Sequence, residues 1–172
     1  MTDTKELVKN ETDGNTKGLY ISLAGMIGAG KTTLAKALSK HFNLPFYEEP
    51  VTANKYLEAF YADMKTNAAM FQIHLSTERF EQQQRIIWNK EGAVQDRSLY
   101  EDQLFAELLR DMGIMSDMHY EIYMNAYAQK CLVVRHPDIV VFIDVSAENS
   151  LKRIKERGRP CESGITLEYL QA

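Results

Sequence analysis

Cysteine is scarce in this chain, which has only Cys131 and Cys161 among its 172 residues. Two cysteines are too few for a disulfide framework and are typical of reduced thiols in a cytosol. Long apolar segments are also missing, because no uncharged stretch approaches the roughly 18 residues of a membrane helix. The opening residues contain no apolar core of a secretory signal, and the net charge of −4 gives no general affinity for nucleic acid or anionic lipid. We therefore expect a cytoplasmic protein with neither nucleic acid nor a membrane as its partner.

The composition is that of an ordinary globular protein, with 45% hydrophobic and 26% charged residues. The length corresponds to roughly one domain of about 150 residues. Residues 1–17 are rich in charge and have almost nothing to bury. We therefore expect a disordered arm over 1–17 and one folded domain over 18–172.

Apolar periodicity predicts alternating strands and helices along the chain. The clearest strand is Ile139–Val145, a β-branched run expected to be buried on both faces. Alternation of this kind predicts an α/β fold with a parallel sheet flanked by helices in three layers. The other predicted elements are strands at 19–24, 45–48 and 91–95, and helices at 31–42, 55–89 (with a break near Lys65–Asn67), 100–110, 117–130 and 147–157.

A phosphate-binding loop follows the first predicted strand. The segment GMIGAGKT, residues 25–32, matches G-x-x-x-x-G-K-[ST] and is followed by a predicted helix, as the motif requires. Glycines let backbone N–H groups surround phosphate oxygens at a helix N-terminus. Lys31 would reach the β- and γ-phosphates, and the Thr32 hydroxyl would bind Mg²⁺. The candidate residues for binding ATP, or another nucleoside triphosphate, are Gly25, Gly28, Ala29, Gly30, Lys31, Thr32 and Thr33.

Two glutamates, Glu48 and Glu49, follow the second predicted strand. Ligands of open parallel sheets lie beyond the carboxyl ends of the strands, so an acidic residue here would face the phosphate site. A carboxylate beside a transferring phosphoryl group repels it unless the carboxylate binds metal or accepts a proton. The alternative is a pair of solvated glutamates on a loop.

Asp96 and Arg97 follow the third predicted strand. An acid and an arginine at a strand end suit a Mg²⁺ contact and a clamp on reacting oxygens, although a surface ion pair would look the same in sequence.

A basic cluster, residues 152–159, reverses the sign of the chain locally with five basic residues in eight. Arginines at a helix end can simply complement the helix dipole. A cluster this dense favours instead a lid that grips a polyphosphate.

The long predicted helix carries Gln72 and Arg79 about two turns apart on one face, so both could face the same pocket. Exposed polar residues on an amphipathic helix are the alternative.

Together these motifs resemble the deoxynucleoside kinases, a P-loop family that includes deoxycytidine, deoxyguanosine and bacterial deoxyadenosine kinases. The resemblance extends from Leu19 to Gln171 and depends on five segments in order: GMIGAGKT, EEPV, FQIHLSTERF, DRSLYED and RIKERGRPCESGITLEYL. It implies the P-loop NTPase fold. Family members usually continue through another strand beyond the position of Ala172, so the C-terminal part is expected to be missing here.

The resemblance also implies roles for individual residues. Glu49 matches the general base on the nucleoside 5′-hydroxyl, with Glu48 as its only nearby rival. Arg97 matches the residue that holds the 5′-oxygen, and Asp96 matches the acidic residue of the Mg²⁺ site. The implied nucleoside contacts are Gln72 (base reading), Arg79 and Asp102 (base screening), and Tyr61 and Glu162 (sugar 3′-hydroxyl); the implied lid arginines are Arg153, Arg157 and Arg159.

The implied activity is ATP-dependent phosphorylation of a deoxynucleoside, with Glu49, Arg97 and Lys31 as catalytic residues. We expect deoxyadenosine or deoxycytidine as the substrate. Ala106 replaces an aromatic residue common in the family and so leaves room for a purine, which slightly favours deoxyadenosine. We also expect a homodimer. The alternatives are a thymidylate-type nucleoside monophosphate kinase and a non-catalytic, nucleotide-binding subunit.

Overall fold

The computed structural model describes residues 18–51 and 56–171. The predicted arm at 1–17 lies outside the described residues, so the division between arm and domain stays a prediction. The strands are β1 (Tyr20–Ala24), β2 (Phe46–Tyr47), β3 (Ala93–Asp96) and β4 (Ile139–Phe142). The helices are α1 (Lys31–Phe42), α2 (Leu57–Ala62), α3 (Met64–Asn89), α4 (Asp102–Asp111), α5 (Asp117–Cys131), α6 (Ala147–Arg157) and α7 (Leu167–Gln171), with 3₁₀ turns at Leu99–Glu101 and Pro160–Glu162.

The four strands form one parallel sheet in the order β2-β3-β1-β4, which confirms the predicted α/β fold. Leu23 of β1 is level with Asp96 of β3 on one side and with Val141 of β4 on the other. Because parallel strands end at the same edge, the loops after β1, β2 and β3 lie side by side. These loops carry the phosphate-binding segment, Glu49 and Arg97.

Three apolar clusters form the core of the described residues. One joins β1 and β3 to α1 through Ile21, Leu23, Ala35, Leu44 and Val94. A small one joins the same two strands to α3 through Tyr20, Ala93 and Ile86. The largest one lies among helices α2 to α5, and its most deeply buried members are Phe60, Ala68, Leu99, Ala106, Leu109 and Tyr123. The largest cluster fixes α3 against its neighbours and thereby sets which face of this helix points to the sheet edge.

The break in the long helix falls at Asp63 and not near Lys65–Asn67 as predicted. Asp63 is the N-cap of α3, and its carboxylate accepts a hydrogen bond of 3.1 Å from the Thr66 N–H. A capping aspartate satisfies a free helix N–H, so the helix can restart at this residue.

The prediction for β4 is wrong in extent and in burial. The strand covers Ile139–Phe142 only, and Ile139, Val140 and Phe142 are 46%, 59% and 69% exposed. A continuous β-branched run is typical of a strand covered on both faces. Within the described residues, however, β4 is an edge strand that pairs with β1 alone, and strand composition cannot report how many neighbours cover a strand.

None of the helices within 18–51 and 56–171 combines the length and the hydrophobicity that crossing a membrane requires.

Candidate active site

The phosphate-binding segment forms the turn between β1 and α1. Gly25 has φ of 138° and Gly28 has φ of 80°, a region that side chains rarely adopt. A Cβ at Gly25 would lie 2.7 Å from the Ile143 carbonyl oxygen, and one at Gly28 would lie 2.8 Å from the Ser150 carbonyl oxygen. These two positions therefore require glycine, as a loop that wraps closely around phosphate does.

Lys31 lies inside this loop and is almost fully buried. Its Nζ donates hydrogen bonds of 2.9 Å to the carbonyl oxygens of Gly25 and Met26. Burial, together with the nearby charge of Arg97, lowers the pKa of Lys31 to about 8. Phosphate oxygens in the loop would favour the charged ammonium and oppose this shift.

Thr32 and Asp96 meet at the start of α1 and the end of β3, where the Thr32 hydroxyl donates to Asp96 Oδ2. Asp96 is fully buried, and its second oxygen, Oδ1, has no hydrogen-bond partner within the part of the chain that the structure describes. Burial raises the pKa of Asp96, and the Thr32 hydrogen bond only partly opposes this. A hydroxyl beside a buried carboxylate with a free oxygen fits the oxygen-rich coordination that Mg²⁺ prefers.

Glu49 is held by two guanidinium groups on the same oxygen. Arg79 Nη2 lies 2.8 Å and Arg97 Nε lies 2.9 Å from Glu49 Oε1. Burial alone would raise the pKa of Glu49, but the charges of Arg97 and Arg79 lower it to about 2. The carboxylate is therefore ionised throughout the physiological pH range.

Glu48 has different surroundings, although both glutamates line the cavity described below. Its side chain is 49% exposed and makes a 3.4 Å ion pair with Lys36. An exposed pair of this kind contributes little energy. Between the two candidates, Glu49 is the glutamate that contacts Arg97.

Arg97 adopts a left-handed backbone conformation, with φ of 65°, that is uncommon for any residue except glycine. Its N–H donates to the Leu23 carbonyl at 3.0 Å, and its Nη2 donates to the Gly25 carbonyl at 2.8 Å. Glu101, which was not predicted as a site residue, accepts from Arg97 Nη1 at 3.0 Å and from the Gly25 N–H at 3.3 Å. Glu101 thus joins the β3 loop to the phosphate-binding loop. The ion pair with Arg97 was foreseeable, since Glu101 follows Arg97 by four residues within the DRSLYED segment.

Arg79 also forms a buried ion pair with Asp102, whose side chain is fully buried. Asp102 Oδ2 has no hydrogen-bond partner among the described residues. Gln72 lies two turns before Arg79 on α3 and is 4% exposed, which confirms that both residues face the interior on one side of the helix.

The three arginines that were predicted to form a lid are held in two ways. Arg153 Nη1 donates to the Ala29 carbonyl of the phosphate-binding loop at 2.9 Å. Arg157 and Arg159 both contact the buried carboxylate of Glu162, at 2.6 Å and 3.1 Å. The side chains of Arg157 and Arg159 remain 34% and 32% exposed.

A cavity of about 460 Å³ joins these groups. Most of the predicted site residues line it: Gly28, Gly30, Lys31, Thr32, Thr33, Glu49, Tyr61, Gln72, Arg79, Arg97, Arg153, Arg157, Arg159 and Glu162. The remaining four, Gly25, Ala29, Asp96 and Asp102, lie behind the lining and contact it through the hydrogen bonds and ion pairs described above.

The cavity wall also contains four aromatic residues that were not predicted as site residues, Phe60, Phe71, Phe105 and Tyr169. The ring of Phe105 lies 4.6 Å from the Arg97 guanidinium carbon, and Tyr169 of α7 is half-buried in the same wall. Ala106, from which room for a purine was inferred, is fully buried in the largest apolar cluster and is not among the lining residues.

Comparison with known proteins agrees with this arrangement. A profile of the family described as "Deoxynucleoside kinase" matches residues 21–172. A deoxyadenosine kinase of Dictyostelium discoideum is 45% identical over 98% of this chain and 71% of its own length. A deoxyadenosine/deoxycytidine kinase of Bacillus subtilis is 37% identical over 89% of this chain and 72% of its own length.

Solved structures give the same result. The deoxyadenosine kinase from M. mycoides with bound dATP has a TM-score of 0.80 and 33% identity, covering 89% of this chain and 79% of that structure. The same enzyme with dCMP and dCDP has a TM-score of 0.81 over 89% and 78%. The P-loop NTPase fold is thereby confirmed, and this chain is a phosphotransferase that belongs to the deoxynucleoside kinase family.

Proposed function

We propose that this chain transfers a phosphoryl group from ATP, or another nucleoside triphosphate, to the 5′-hydroxyl of deoxyadenosine or deoxycytidine. The observation that carries the proposal is Glu49, an ionised carboxylate held by Arg79 and Arg97 in a cavity that also contains the phosphate-binding loop. A nucleoside monophosphate kinase needs a site for a charged acceptor phosphate, and a carboxylate at this point would repel one.

Glu49 is assigned as the base for the acceptor hydroxyl. Its low pKa keeps it charged, so it can orient the 5′-hydroxyl before reaction by accepting a hydrogen bond. Phosphoryl transfer passes through a loose transition state in which the hydroxyl loses its proton late. A weakly basic but well positioned carboxylate is sufficient for such a step, and Arg97 is assigned to hold the same 5′-oxygen.

Lys31 and the lid arginines supply positive charge on the donor side. The Lys31 ammonium is fixed in the phosphate-binding loop, and Arg153 is held against that loop. Cations fixed where charge develops lower the barrier to transfer. Thr32 and Asp96 would hold Mg²⁺, which when bound would neutralise phosphate charge and orient the donor phosphates.

Base and sugar recognition are assigned to the α3 face and to the lid end of the cavity. The Gln72 amide can donate one hydrogen bond and accept another, which matches the amino and ring-nitrogen edge of adenine or cytosine. Arg79, fixed from behind by the buried Asp102, forms a polar wall that would crowd the thymine methyl. Tyr61 and Glu162 line the cavity and are assigned to the sugar 3′-hydroxyl.

A panel of the four deoxynucleosides and dTMP, assayed for ATP-dependent phosphorylation, tests the proposal. The relatives named above for deoxyadenosine and deoxycytidine support the expected order: deoxyadenosine or deoxycytidine first, deoxyguanosine next and thymidine last. Each buried polar partner left unpaired by the wrong base costs about 1–3 kcal/mol, so discrimination should be strong. Thymidine as the best substrate would contradict the role given to Arg79 and Asp102, and dTMP as the best acceptor would contradict the assignment of Glu49.

We further propose that the protein is a cytoplasmic homodimer. Helices α4 and α5 pack together and expose four large apolar side chains, Leu104, Met112, Met118 and Ile122. Exposed apolar groups on neighbouring helices are typical of a protein interface. Light scattering coupled to gel filtration should give twice the chain mass, and Ile122→Glu should shift it to the monomer mass.

A further inference from the structure

Four hydrogen-bonded polar side chains, here called the hydrogen-bond chain, link strands β1 and β3 to helix α3 next to the active site. The hydrogen-bond chain consists of Tyr20 of β1, Gln82 and Gln83 of α3, and Gln95 of β3. Tyr20 and Gln95 are fully buried and Gln83 is 1% exposed. Buried amides and phenols are costly unless each polar atom has a partner, so these three in one place, with the half-buried Gln82 beside them, require an explanation.

The first half of the hydrogen-bond chain begins at the backbone after Arg97. The Leu99 N–H donates to Gln83 Oε1 at 3.3 Å, and Gln83 Nε2 donates to the Tyr20 hydroxyl at 3.0 Å. The Tyr20 hydroxyl in turn donates to Gln95 Oε1. Burial raises the pKa of Tyr20, so the phenol keeps the proton that this bond needs.

The second half ends at the backbone before Glu49. Gln95 Nε2 donates to Gln82 Oε1 at 3.2 Å, and Gln82 Nε2 donates to the Glu48 carbonyl oxygen at 2.8 Å. All five hydrogen bonds point in one direction, from the Leu99 N–H to the Glu48 carbonyl. Hydrogen bonds in such a series polarise and strengthen each other.

The two ends of the hydrogen-bond chain are significant because they lie next to Glu49 and Arg97 in sequence. Glu48 precedes Glu49, and Leu99 follows Arg97 by two residues. Glu49 and Arg97 are the two groups whose 2.9 Å contact holds the carboxylate at the acceptor hydroxyl. The hydrogen-bond chain therefore connects the two backbone segments that carry this pair, and none of its four side chains lines the cavity.

We propose that the Gln83–Tyr20–Gln95–Gln82 chain sets the distance between Glu49 and Arg97, which makes Tyr20 and Gln82 positioning residues for phosphoryl transfer. This inference depends on the role proposed above for Glu49. Positioning matters because a displacement of about 1 Å at a reacting group can cost on the order of 100-fold in rate. Neither side chain is among the residues that line the cavity.

The test compares two glutamines of the same helix. Gln82→Ala removes the bond to the Glu48 carbonyl, whereas Gln84→Ala removes a similar 3.2 Å bond from Gln84 Nε2 to the Val133 carbonyl, away from the cavity. In the full chain, Gln82→Ala should lower kcat about 10-fold with nucleoside KM within about two-fold. Gln84→Ala should leave both constants unchanged. Equal kcat values in the two variants would overturn the proposal.

A second variant tests whether the hydrogen-bond chain acts as a unit. Tyr20→Phe removes the central hydroxyl with little change of shape and should also lower kcat, and melting temperatures of all variants monitor stability. Adding Gln82→Ala to Tyr20→Phe should lower kcat little further, because both changes break the same series. Fully additive losses in kcat would indicate two independent structural effects and would overturn the proposal.

A third measurement does not depend on catalysis. The carboxyl carbon of Glu49, followed by NMR during an acid titration, reports how closely Arg97 holds it. Gln82→Ala should raise the apparent pKa of Glu49 from its low value, and Gln84→Ala should not. If the assays found no deoxynucleoside kinase activity, the proposed function would fail while this titration still decided the positioning role. An unchanged Glu49 titration in Gln82→Ala would overturn that role.

Discussion

The two sides of the cavity are built differently. On the acceptor side, Arg79, Arg97 and Asp102 have side chains no more than 3% exposed and form a continuous series of ion pairs through Glu49. On the lid side, Arg157 and Arg159 are about one-third exposed and share one carboxylate, that of Glu162. Both sides contain several arginines, yet only the acceptor arginines are enclosed by packed side chains.

This difference agrees with the separate tasks proposed for the two sides. A base that orients one hydroxyl gains from a geometry fixed before substrate arrives. A lid must open for the donor and close over it, so its charges need partners that can be exchanged. Breaking the acceptor side should therefore change both stability and chemistry, whereas breaking the lid should change chemistry alone.

The largest effect is expected for Glu49→Gln. The amide keeps the shape of the side chain but cannot accept the 5′-hydroxyl proton, so kcat should fall by about 10²–10⁴ while nucleoside binding persists. Steady-state kinetics together with calorimetric titration of the nucleoside measure both quantities. Glu48→Gln is the matched control and should be near wild type. A large loss from Glu48→Gln with normal Glu49→Gln would reverse the assignment.

A large loss of stability is expected for Arg79→Met. Removing this guanidinium leaves the fully buried Asp102 without its partner, and a buried charge left in this way typically costs about 3–5 kcal/mol in unfolding free energy. Urea denaturation measures the change. The double variant Arg79→Met/Asp102→Ala should recover part of the loss, because it removes the unpaired charge as well. A single variant with wild-type stability would show that the acceptor side is not pre-organised.

Much of the fold and part of the site follow from local sequence. The phosphate-binding loop is contiguous, and the alternating apolar runs suffice to predict a parallel α/β sheet. Helix α6 begins directly after Ser146, a residue type that favours helix N-caps, and the Ser146 hydroxyl accepts a 3.3 Å hydrogen bond from the Asn149 N–H. Such features are determined by residues that are close together in the sequence, so they can be predicted from the sequence alone.

Other features depend on distant partners and were not predictable. The pairing of Arg79 with Glu49 joins residues 30 apart and requires the rotation of α3 about its axis. The contact of Glu101 with the Gly25 N–H spans 76 positions. The prediction that β4 is buried was wrong for the same reason, since the burial of a strand depends on which elements lie beside it.

The lid variants Arg157→Ala and Arg159→Ala should have a moderate effect on kcat. Their charges matter most as the phosphoryl group moves, so kcat should fall about 10-fold or more while the nucleoside KM changes less. Because these side chains are partly exposed, the unfolding free energy should change by less than about 1 kcal/mol. Kinetics and urea denaturation on the same samples make the comparison with Arg79→Met direct. Normal turnover in both variants would mean that the basic cluster only complements the helix end.

The smallest effect concerns acid stability and again separates the two sides. The pKa of Glu49 is about 2 in the folded protein and near its ordinary value of 4.5 in the unfolded chain. The unfolded chain therefore binds a proton that the folded protein does not, and stability falls as pH falls through this window. From pH 6 to pH 4 this group should account for about 1 kcal/mol of lost unfolding free energy. Glu49→Gln should lose that much less than wild type over the same range, whereas Arg157→Ala should lose as much as wild type. Parallel losses in wild type and Glu49→Gln would contradict the tight pairing of Glu49 with the two buried arginines.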